Sequence, residues 1–221
     1  MDNVVQRTGH MLNDNSLEKR AARRRLSSEE RKQEIVSTAA HLFDQDGYSR
    51  TSMDDLARTI GIAKPTLYHY FPSKDHILYD IHEDFIDPLI ARHRQRMDAG
   101  LRPDQMLLEV MADILELMET HRGHVRVFFE HYRELPTEQQ VTISAKRDEY
   151  EAAVESIFAE GVADGTFKDM SPRLAAFAMF GMVNWAYQWF RPEGSMRTRE
   201  VAYTFWSFFV HGIGTGKPTT S

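Results

Sequence analysis

The stretch TSMDDLARTIGIAKPTLYHYFPSKD, residues 51–75, decides the fold of this chain. Ala57, Gly61 and Leu67 follow one another at intervals of four and six residues. A small residue where two helices approach, a glycine that can take a positive φ and an apolar plug are the parts of a helix-turn-helix. Pro65 stands where the first turn of the second helix tolerates proline. The stretch therefore predicts two short helices joined by a tight turn.

Further helices are predicted on both sides of this turn. Ser27 opens a capping box that starts a helix, and Gly47 is a stop signal for it. Thr51 is the predicted N-cap of the next helix, and Ser73 is the predicted N-cap of the helix that follows the turn. Pro88 lies inside that last helix and is expected to kink or break it.

The helix that starts near Lys64 is predicted to have two different faces. Ala63, Leu67 and Phe71 form an apolar stripe that packs inward. The residues left on the opposite face are polar, aromatic or conformationally stiff: Lys64, Pro65, Thr66, Tyr68 and His69. Such side chains donate to base edges and phosphates or pack on thymine methyl groups, so this face suits the major groove of DNA. Lys74, in the first turn of the next helix, is placed to reach a phosphate.

The charge distribution supports a nucleic-acid partner for the first part of the chain only. The 221 residues carry a net charge of −6, but residues 19–75 carry +3 and residues 76–221 carry −7. The run KRAARRR at 19–25 contributes Arg23, Arg24 and Arg25 to a basic arm that can lie along phosphates or in the minor groove. By itself this run also has a simpler interpretation as a solvated charge cluster.

Composition excludes several classes of protein. Hydrophobic residues make up 42% of the chain, as in a folded globular protein, and cysteine is absent, which excludes disulfides and thiolate metal sites. This suits a reducing cytoplasm. The longest uncharged run, residues 174–190, is short for a membrane span and contains Asn184 and Gln188, so we predict a buried helix there.

The remainder of the chain predicts helices only, so the fold class is all-α. Residues 103–121 are apolar on two sides, which predicts a helix sandwiched inside a domain. The predicted organisation is a disordered basic arm (1–26), a three-helix DNA-binding module with a helix-turn-helix (27–75), a helical-bundle ligand-binding and dimerisation domain (76–214) and a flexible tail (215–221).

GYSRTSMDDLARTIGIAKPTLYHYFPSKDHIL, residues 47–78, closely resembles the TetR family of one-component transcriptional regulators. The resemblance covers residues 28–85 in detail, and the remainder in length and helical character. It implies that Thr51, with the residues of the exposed helix face and Lys74, touches DNA. It also implies a homodimer that binds a palindromic operator and is released by a small effector, most simply as a repressor.

The resemblance also implies an effector pocket and a dimer face. NWAYQWFRPEG, residues 184–194, resembles family members that respond to fatty acyl or steroid CoA thioesters. Methionine and aromatic residues at helical spacing are mostly core, but in helices that should surround a pocket they can also line it. The pocket residues predicted in this way are Met111, Met118, Phe129, Tyr132, Tyr150, Phe177, Asn184 and Trp185. Arg126, Arg133, Lys146 and Arg147 are available for the phosphates of a thioester. The predicted dimer interface comprises Ala178, Gly181, Phe205, Phe209 and Gly212, although the two closing helices can equally form intramolecular core.

Rival functions find little support in the sequence. None of the ten histidines follows a glutamate by three residues, and neither a zinc-protease motif, a nucleophile elbow nor a phosphate-binding glycine loop is present. We therefore predict a protein that is not an enzyme and needs no cofactor or metal. The alternative is a helical DNA-binding or interaction protein without an effector, which would have a solid C-terminal core.

Overall fold

The computed structural model describes residues 27–211, and every regular element in this range is helical. The elements are α1 (Ser28–Asp46), α2 (Met53–Ile60), α3 (Lys64–Tyr70), α4 (Lys74–Asp98), α5 (Pro103–Thr120), α6 (Arg122–Glu130), a 3₁₀-helix (Tyr132–Glu134), α7 (Thr137–Ala163), α8 (Pro172–Asn184), α9 (Ala186–Trp189) and α10 (Thr198–His211). The all-α prediction is confirmed. The described residues from Ile35 onward form one compact unit.

Local signals place the ends of α1 as predicted. The Ser27 hydroxyl accepts from the backbone N–H of Glu30 at 3.1 Å, and the Glu30 carboxylate accepts from the Ser27 N–H at 2.8 Å, which completes a capping box. The helix ends before Gly47, whose φ of 86° is open to glycine at little cost. Ile35, Ala39 and Phe43 are fully buried along its inner face.

The turn between α2 and α3 has the geometry that its sequence predicts. Gly61 has a φ of 75° and donates its N–H to the Ala57 carbonyl at 3.0 Å. The N-cap of α2 is Ser52 rather than Thr51, since the Ser52 hydroxyl and the Asp55 carboxylate cap each other's backbone N–H groups. Leu67 is completely buried and fastens α3 to the helices before it.

Helix α4 carries the chain from the helix-turn-helix into the following helices. It runs from Lys74 to Asp98 without interruption, so Pro88 does not break it. Ser73 stands at the N-cap position, but its side chain does not accept from the backbone of the first turn. The predicted domain boundary between residues 75 and 76 falls in the first turn of α4, so the two predicted domains share one helix.

Helix α5 lies inside the bundle, as its two apolar sides predict. Its buried side chains include Leu107, Met111 and Leu115, each with no exposed surface. Asp113 is also buried and accepts from Arg92 at 3.0 Å and from Arg96 at 2.9 Å, so two guanidinium groups of α4 compensate one buried carboxylate. Helix α10 packs along α5.

Two broader properties concern the described residues only. Within residues 27–211, none of the helices combines the length and the apolar character that a bilayer span requires. In the same range, no group of three or more His, Asp or Glu side chains is arranged so that it could hold a metal ion. The predictions for residues 1–26 and 212–221, including the basic arm, Gly212 and the tail, lie outside the described residues.

Candidate DNA-binding surface and ligand pocket

The predicted DNA-reading face of α3 is exposed in the structure. Lys64, Pro65, Thr66, Tyr68 and His69 are all exposed, and the Tyr68 side chain retains 43% of its accessible surface. Phe71, by contrast, is buried at 2% exposure, which confirms its assignment to the core. Ala63 does not belong to the apolar stripe as predicted. It is exposed because it is the N-cap of α3, outside the helical repeat.

Lys64 is held within the helix-turn-helix by a charge from the neighbouring helix. Its ammonium lies 2.7 Å from an oxygen of Asp54, in the first turn of α2, and both side chains are more than half exposed. The hydrogen bond and the charge of Asp54 raise the pKa of Lys64 above its usual value. The same ammonium lies 5.9 Å from the centroid of the Tyr68 ring. A DNA phosphate or base that binds Lys64 must therefore compete with Asp54.

Lys74 is engaged by the protein rather than extended into solvent. Its ammonium donates to the carbonyls of Tyr48 at 2.7 Å and Thr51 at 3.0 Å, and it lies 4.0 Å from the Tyr48 ring centroid. The Tyr48 hydroxyl in turn donates to Asp75. Burial and the neighbouring Asp75 carboxylate raise the pKa of Tyr48 well above its usual range. Lys74 thus links the segment before α2 to the start of α4, with one N–H left for a phosphate.

The Thr51 side chain is buried. It is only 4% exposed, and its hydroxyl donates to the Gly47 carbonyl at 3.0 Å. The contact of Thr51 with DNA stays a prediction.

A cavity of about 230 Å³ lies in the helical bundle that follows the helix-turn-helix. It is bordered by side chains of five helices, α4 to α8: Phe85, Ile86, Leu89, Ile114, Phe128, Phe129, Arg147, Tyr150, Glu151, Phe177, Phe180 and Asn184. Four of the predicted pocket residues are among them, namely Phe129, Tyr150, Phe177 and Asn184. The cavity is mostly apolar, with a few polar groups, which is the usual composition of a small-molecule site.

The other four predicted pocket residues lie elsewhere. Met111 is completely buried in the core, and Tyr132 contacts Arg147 without bordering the cavity. Trp185 is 62% exposed, because it caps the end of α8 and its ring lies outside the bundle. Met118 borders a different cavity of about 160 Å³, near Arg126 and Arg191. Methionine and aromatic residues at helical spacing indicate burial, but they do not distinguish a cavity wall from filled core.

The four cations predicted for phosphates have different environments. Lys146 contacts carboxylates of Glu83 at 2.6 Å and Asp87 at 2.7 Å. Arg126 lies 3.1 Å from Asp44, and Arg133 is exposed at the 3₁₀-helix. Only Arg147 borders the 230 Å³ cavity. These residues share a charge in the sequence, whereas the structure separates them by their partners.

Aromatic rings connect the cavity with the base of the helix-turn-helix. Phe128, on the cavity wall, lies 5.4 Å from the ring of His82, and Tyr132 lies 6.3 Å from the same ring. Next to Tyr132 in the chain, His131 lies 6.3 Å from Tyr48, the residue that Lys74 and Asp75 contact. Burial lowers the pKa of His82 to about 4, so its ring is neutral near pH 7, with Nδ1–H donating to the Leu78 carbonyl.

Helix α6 also touches α1 directly, backbone to backbone. A Cβ atom at Gly123 would stand 2.7 Å from the carbonyl carbon and oxygen of Ala40 and 2.8 Å from the His41 nitrogen. Only glycine permits this approach. Since α6 also supplies Phe128 and Phe129 to the cavity, the helix contacts both the cavity and the DNA-binding helices.

Helices α8 and α10 are in contact and expose apolar surface. Ala178 and Gly181 of the predicted dimer face are exposed, and nothing lies within 4 Å of a Cβ placed at Gly181. Phe205 and Phe209 are only partly exposed, because their rings pack 6.1 Å from Trp189 and 5.8 Å from Phe158. The exposed large side chains on these two helices are Leu174, Phe177, Tyr203 and Phe208. The exposed residues thus fit a contact between two copies, and the packed rings fit intramolecular core.

Comparison with known families matches both parts of the chain. The family model of bacterial regulatory proteins of the tetR family matches residues 35–81, and that of tetracyclin repressor-like C-terminal domains matches residues 100–213. The chain belongs to the TetR family. The KstR2 transcriptional repressor of Rhodococcus jostii strain RHA1 is 27% identical over 185 residues, which cover 83% of this chain and 91% of that protein.

Solved structures of TetR-family regulators have the same fold. PfmR of Thermus thermophilus is 32% identical and matches with a TM-score of 0.76, over 81% of this chain and 98% of that one. AibR, solved in complex with isovaleryl coenzyme A and operator DNA, matches with a TM-score of 0.72 and 26% identity, over 81% of this chain and 98% of that one. This TetR-family chain is thus a DNA-binding transcriptional regulator, and α2 and α3 are its helix-turn-helix.

Proposed function

We propose that the protein is a homodimeric repressor that acts in the cytoplasm, binds a palindromic operator and is released by a small apolar effector. The observation that carries this proposal is the exposed face of α3, from Lys64 to His69, held in position by the Gly61 turn and the buried Leu67. In the proposed complex this face lies in the major groove, where donors and an aromatic hydroxyl can reach bases and phosphates.

The proposal requires two copies of the chain. Helix α3 has only seven residues, so a single copy can contact only a few base pairs. A two-fold pair reads two half-sites separated by about one helical turn of DNA or a multiple of it. The exposed apolar side chains of α8 and α10 are the surface that we assign to the contact between the copies.

The cavity among α4 to α8 supports an effector over the alternative without one. A purely architectural protein would fill this space with side chains, whereas about 230 Å³ is left open here. AibR binds isovaleryl coenzyme A and shares the fold, so an acyl-CoA thioester is the effector we test first. An effector with a hundredfold preference for the conformer that cannot bind DNA contributes about 2.7 kcal/mol of coupling, enough to clear an operator.

The test is fluorescence anisotropy of a labelled duplex from the region upstream of the gene, titrated with protein and then with octanoyl-CoA. We expect tight binding that octanoyl-CoA reverses. Tight binding that no effector changes would favour the alternative, a helical DNA-binding or interaction protein without an effector. Tyr68→Ala should weaken binding to this duplex, because the ring lies on the exposed face of α3. Val141→Ala, at a 66% exposed position of α7, is the control and should bind as the unaltered protein does.

A further inference from the structure

We propose that Arg147 binds an oxyanion of the effector, so that the cavity selects a small organic acid with an apolar body. This inference rests on the proposed function in that it takes the cavity among α4 to α8 as the effector site. It adds the chemical class of the group that the cavity recognises, and it assigns that recognition to one residue.

The guanidinium of Arg147 is fixed by aromatic rings and one carbonyl. Its central carbon lies 4.0 Å from the Phe128 ring centroid and 4.5 Å from that of Tyr132. Its Nη2 donates to the Phe128 carbonyl at 2.6 Å. Its Nε is buried and has no hydrogen-bond partner among the described residues. A planar group held in this way keeps its remaining donors in a fixed orientation, as bidentate recognition of a carboxylate requires.

Arg147 differs from Arg92, Arg96 and Lys146 in that it has no ion pair within the part of the chain that the structure describes. Among the described residues no carboxylate forms an ion pair with it, whereas Arg92, Arg96 and Lys146 each contact at least one. Burial accordingly lowers the pKa of Arg147 below its usual value. A half-buried guanidinium without a carboxylate partner is costly, and a ligand anion would offset that cost.

Tyr150 is another side chain of α7 on the wall of this cavity. Tyr150, three residues after Arg147 on α7, is 4% exposed, and its hydroxyl has no hydrogen-bond partner among the described residues. The charges that act on this hydroxyl are those of Asp113, Arg96 and Arg92 and not that of Arg147, so we assign recognition of the anion to Arg147 alone. Glu151 also borders the cavity. Its negative charge repels an anion there, so its removal should strengthen anion binding, whereas removal of the Arg147 charge should weaken it.

The size of the cavity limits the acid. Its volume of about 230 Å³ is below the range of roughly 300–1,000 Å³ that is usual for drug-sized ligands. It exceeds the cavity of about 150 Å³ that admits benzene in an engineered protein. The apolar wall, which includes Phe85, Leu89 and Phe180, therefore suits the chain or ring of a medium-sized acid, with the carboxylate at Arg147.

The experiment compares octanoate, octanamide and octanoyl-CoA by isothermal titration calorimetry with the full chain. We expect octanoate to bind at least about tenfold more tightly than octanamide, a difference of about 1.4 kcal/mol. Arg147→Gln should abolish this preference, and Arg147→Lys, which keeps the charge but loses the planar fork, should retain part of it. Glu151→Gln should strengthen octanoate binding. Arg133→Gln removes an exposed arginine nearby and should leave the preference intact.

Results that contradict the role of Arg147 are distinct from results that contradict the proposed repressor. Equal binding of octanoate and octanamide, an undiminished preference in Arg147→Gln, or no octanoate binding at tens of millimolar would overturn the inference. The variants are compared only where their unfolding midpoints and operator affinities match the unaltered chain, and Arg147→Lys decides if Arg147→Gln is not folded. Operator release by octanoyl-CoA without octanoate binding would refute the inference and keep the repressor. If octanoate binds through Arg147 but does not change DNA binding, the role of Arg147 is kept and the effector-controlled repressor is refuted.

Discussion

At the scale of single residues, the two lysines that flank α3 show how different neighbours give one residue type different roles. Lys64 is exposed, pairs with Asp54 and lies near the Tyr68 ring, so its side chain can turn from the protein to DNA. Lys74 donates to two backbone carbonyls and covers the Tyr48 ring, so it stabilises the path of the chain. In the sequence both are cations near the helix-turn-helix, so DNA contact is predicted for each of them alike.

The two lysines should therefore respond differently to substitution by alanine. Lys74→Ala loses two hydrogen bonds from a charged donor and should reduce the free energy of unfolding by about 2 kcal/mol. Lys64→Ala should leave stability unchanged, because its ion pair is exposed, and should weaken operator binding. Urea unfolding and operator anisotropy, measured on both variants, test the difference. Equal stability of the two variants would contradict the role assigned to Lys74.

At the scale of helices, the contact between α6 and α1 joins the cavity to the DNA-binding helices. Gly123 lets the α6 backbone approach that of α1, while Phe128 on the same helix borders the cavity and contacts Arg147. A ligand that moves α6 would thus move a surface against which α1 is packed. Helix α4 provides a second continuous connection, since it passes Pro88 without a break.

Gly123→Ala should disturb this contact. The added methyl group would meet backbone atoms that cannot rotate away, so α6 and α1 must separate, at a cost of about 1–3 kcal/mol of stability. Urea unfolding measures the loss, and operator titration with and without effector shows whether the response to ligand also weakens. Ala40→Gly should not rescue the variant, because the conflict is with the Ala40 backbone and not with its side chain. Rescue would mean that the helices meet differently.

The helices themselves were predictable because their ends carry local signals. Capping residues, Gly47 and Gly61 act over three or four residues, so the predicted and observed ends of α1 to α3 nearly coincide. Thr51 and Ser52 are adjacent hydroxyl residues, and Ser52 is the N-cap because it lies three positions before Asp55. Ala63 fits the apolar repeat of α3 but precedes its first turn.

The cavity was only half predictable, for a physical reason. Helical periodicity shows which face of a helix is buried, but not whether another side chain fills the space in front of it. Met111 has no exposed surface, whereas Phe129 borders the cavity, and the sequence alone does not distinguish these two apolar residues. The role proposed for Arg147 depends on which neighbours it lacks, and this information is present only in the folded chain.

At the scale of the whole molecule, the proposed dimer relates two α3 helices to one operator. The spacing between them would be set by the contact between α8 and α10 of the two copies, far along the chain from α3. Small residues at Ala178 and Gly181 allow a partner helix to approach closely. In a two-fold contact every pair of contacting residues occurs twice, so one substitution acts twice, and a residue near the axis lies close to its own copy.

Ala178→Arg should therefore separate the copies. It introduces two like charges near the proposed two-fold axis and leaves each folded chain intact, because Ala178 is exposed. Sedimentation equilibrium should show a monomer, and operator affinity should fall sharply, since one α3 reads only half of a palindrome. Ala91→Arg adds the same charge at an exposed position of α4 and should remain dimeric. A dimeric Ala178→Arg variant would place the interface elsewhere.

The ion pair between Lys64 and Asp54 has a consequence for how quickly the operator is found. On any DNA sequence, the proposed contact of Lys64 first requires this pair to open. A chromosome presents about a million or more competing sites, and weaker binding to each of them shortens the time that the protein spends bound there. Asp54 would thus weaken binding to sequences other than the operator. The chain would reach its operator sooner because Lys64 of the DNA-reading helix is paired with Asp54 of the neighbouring helix.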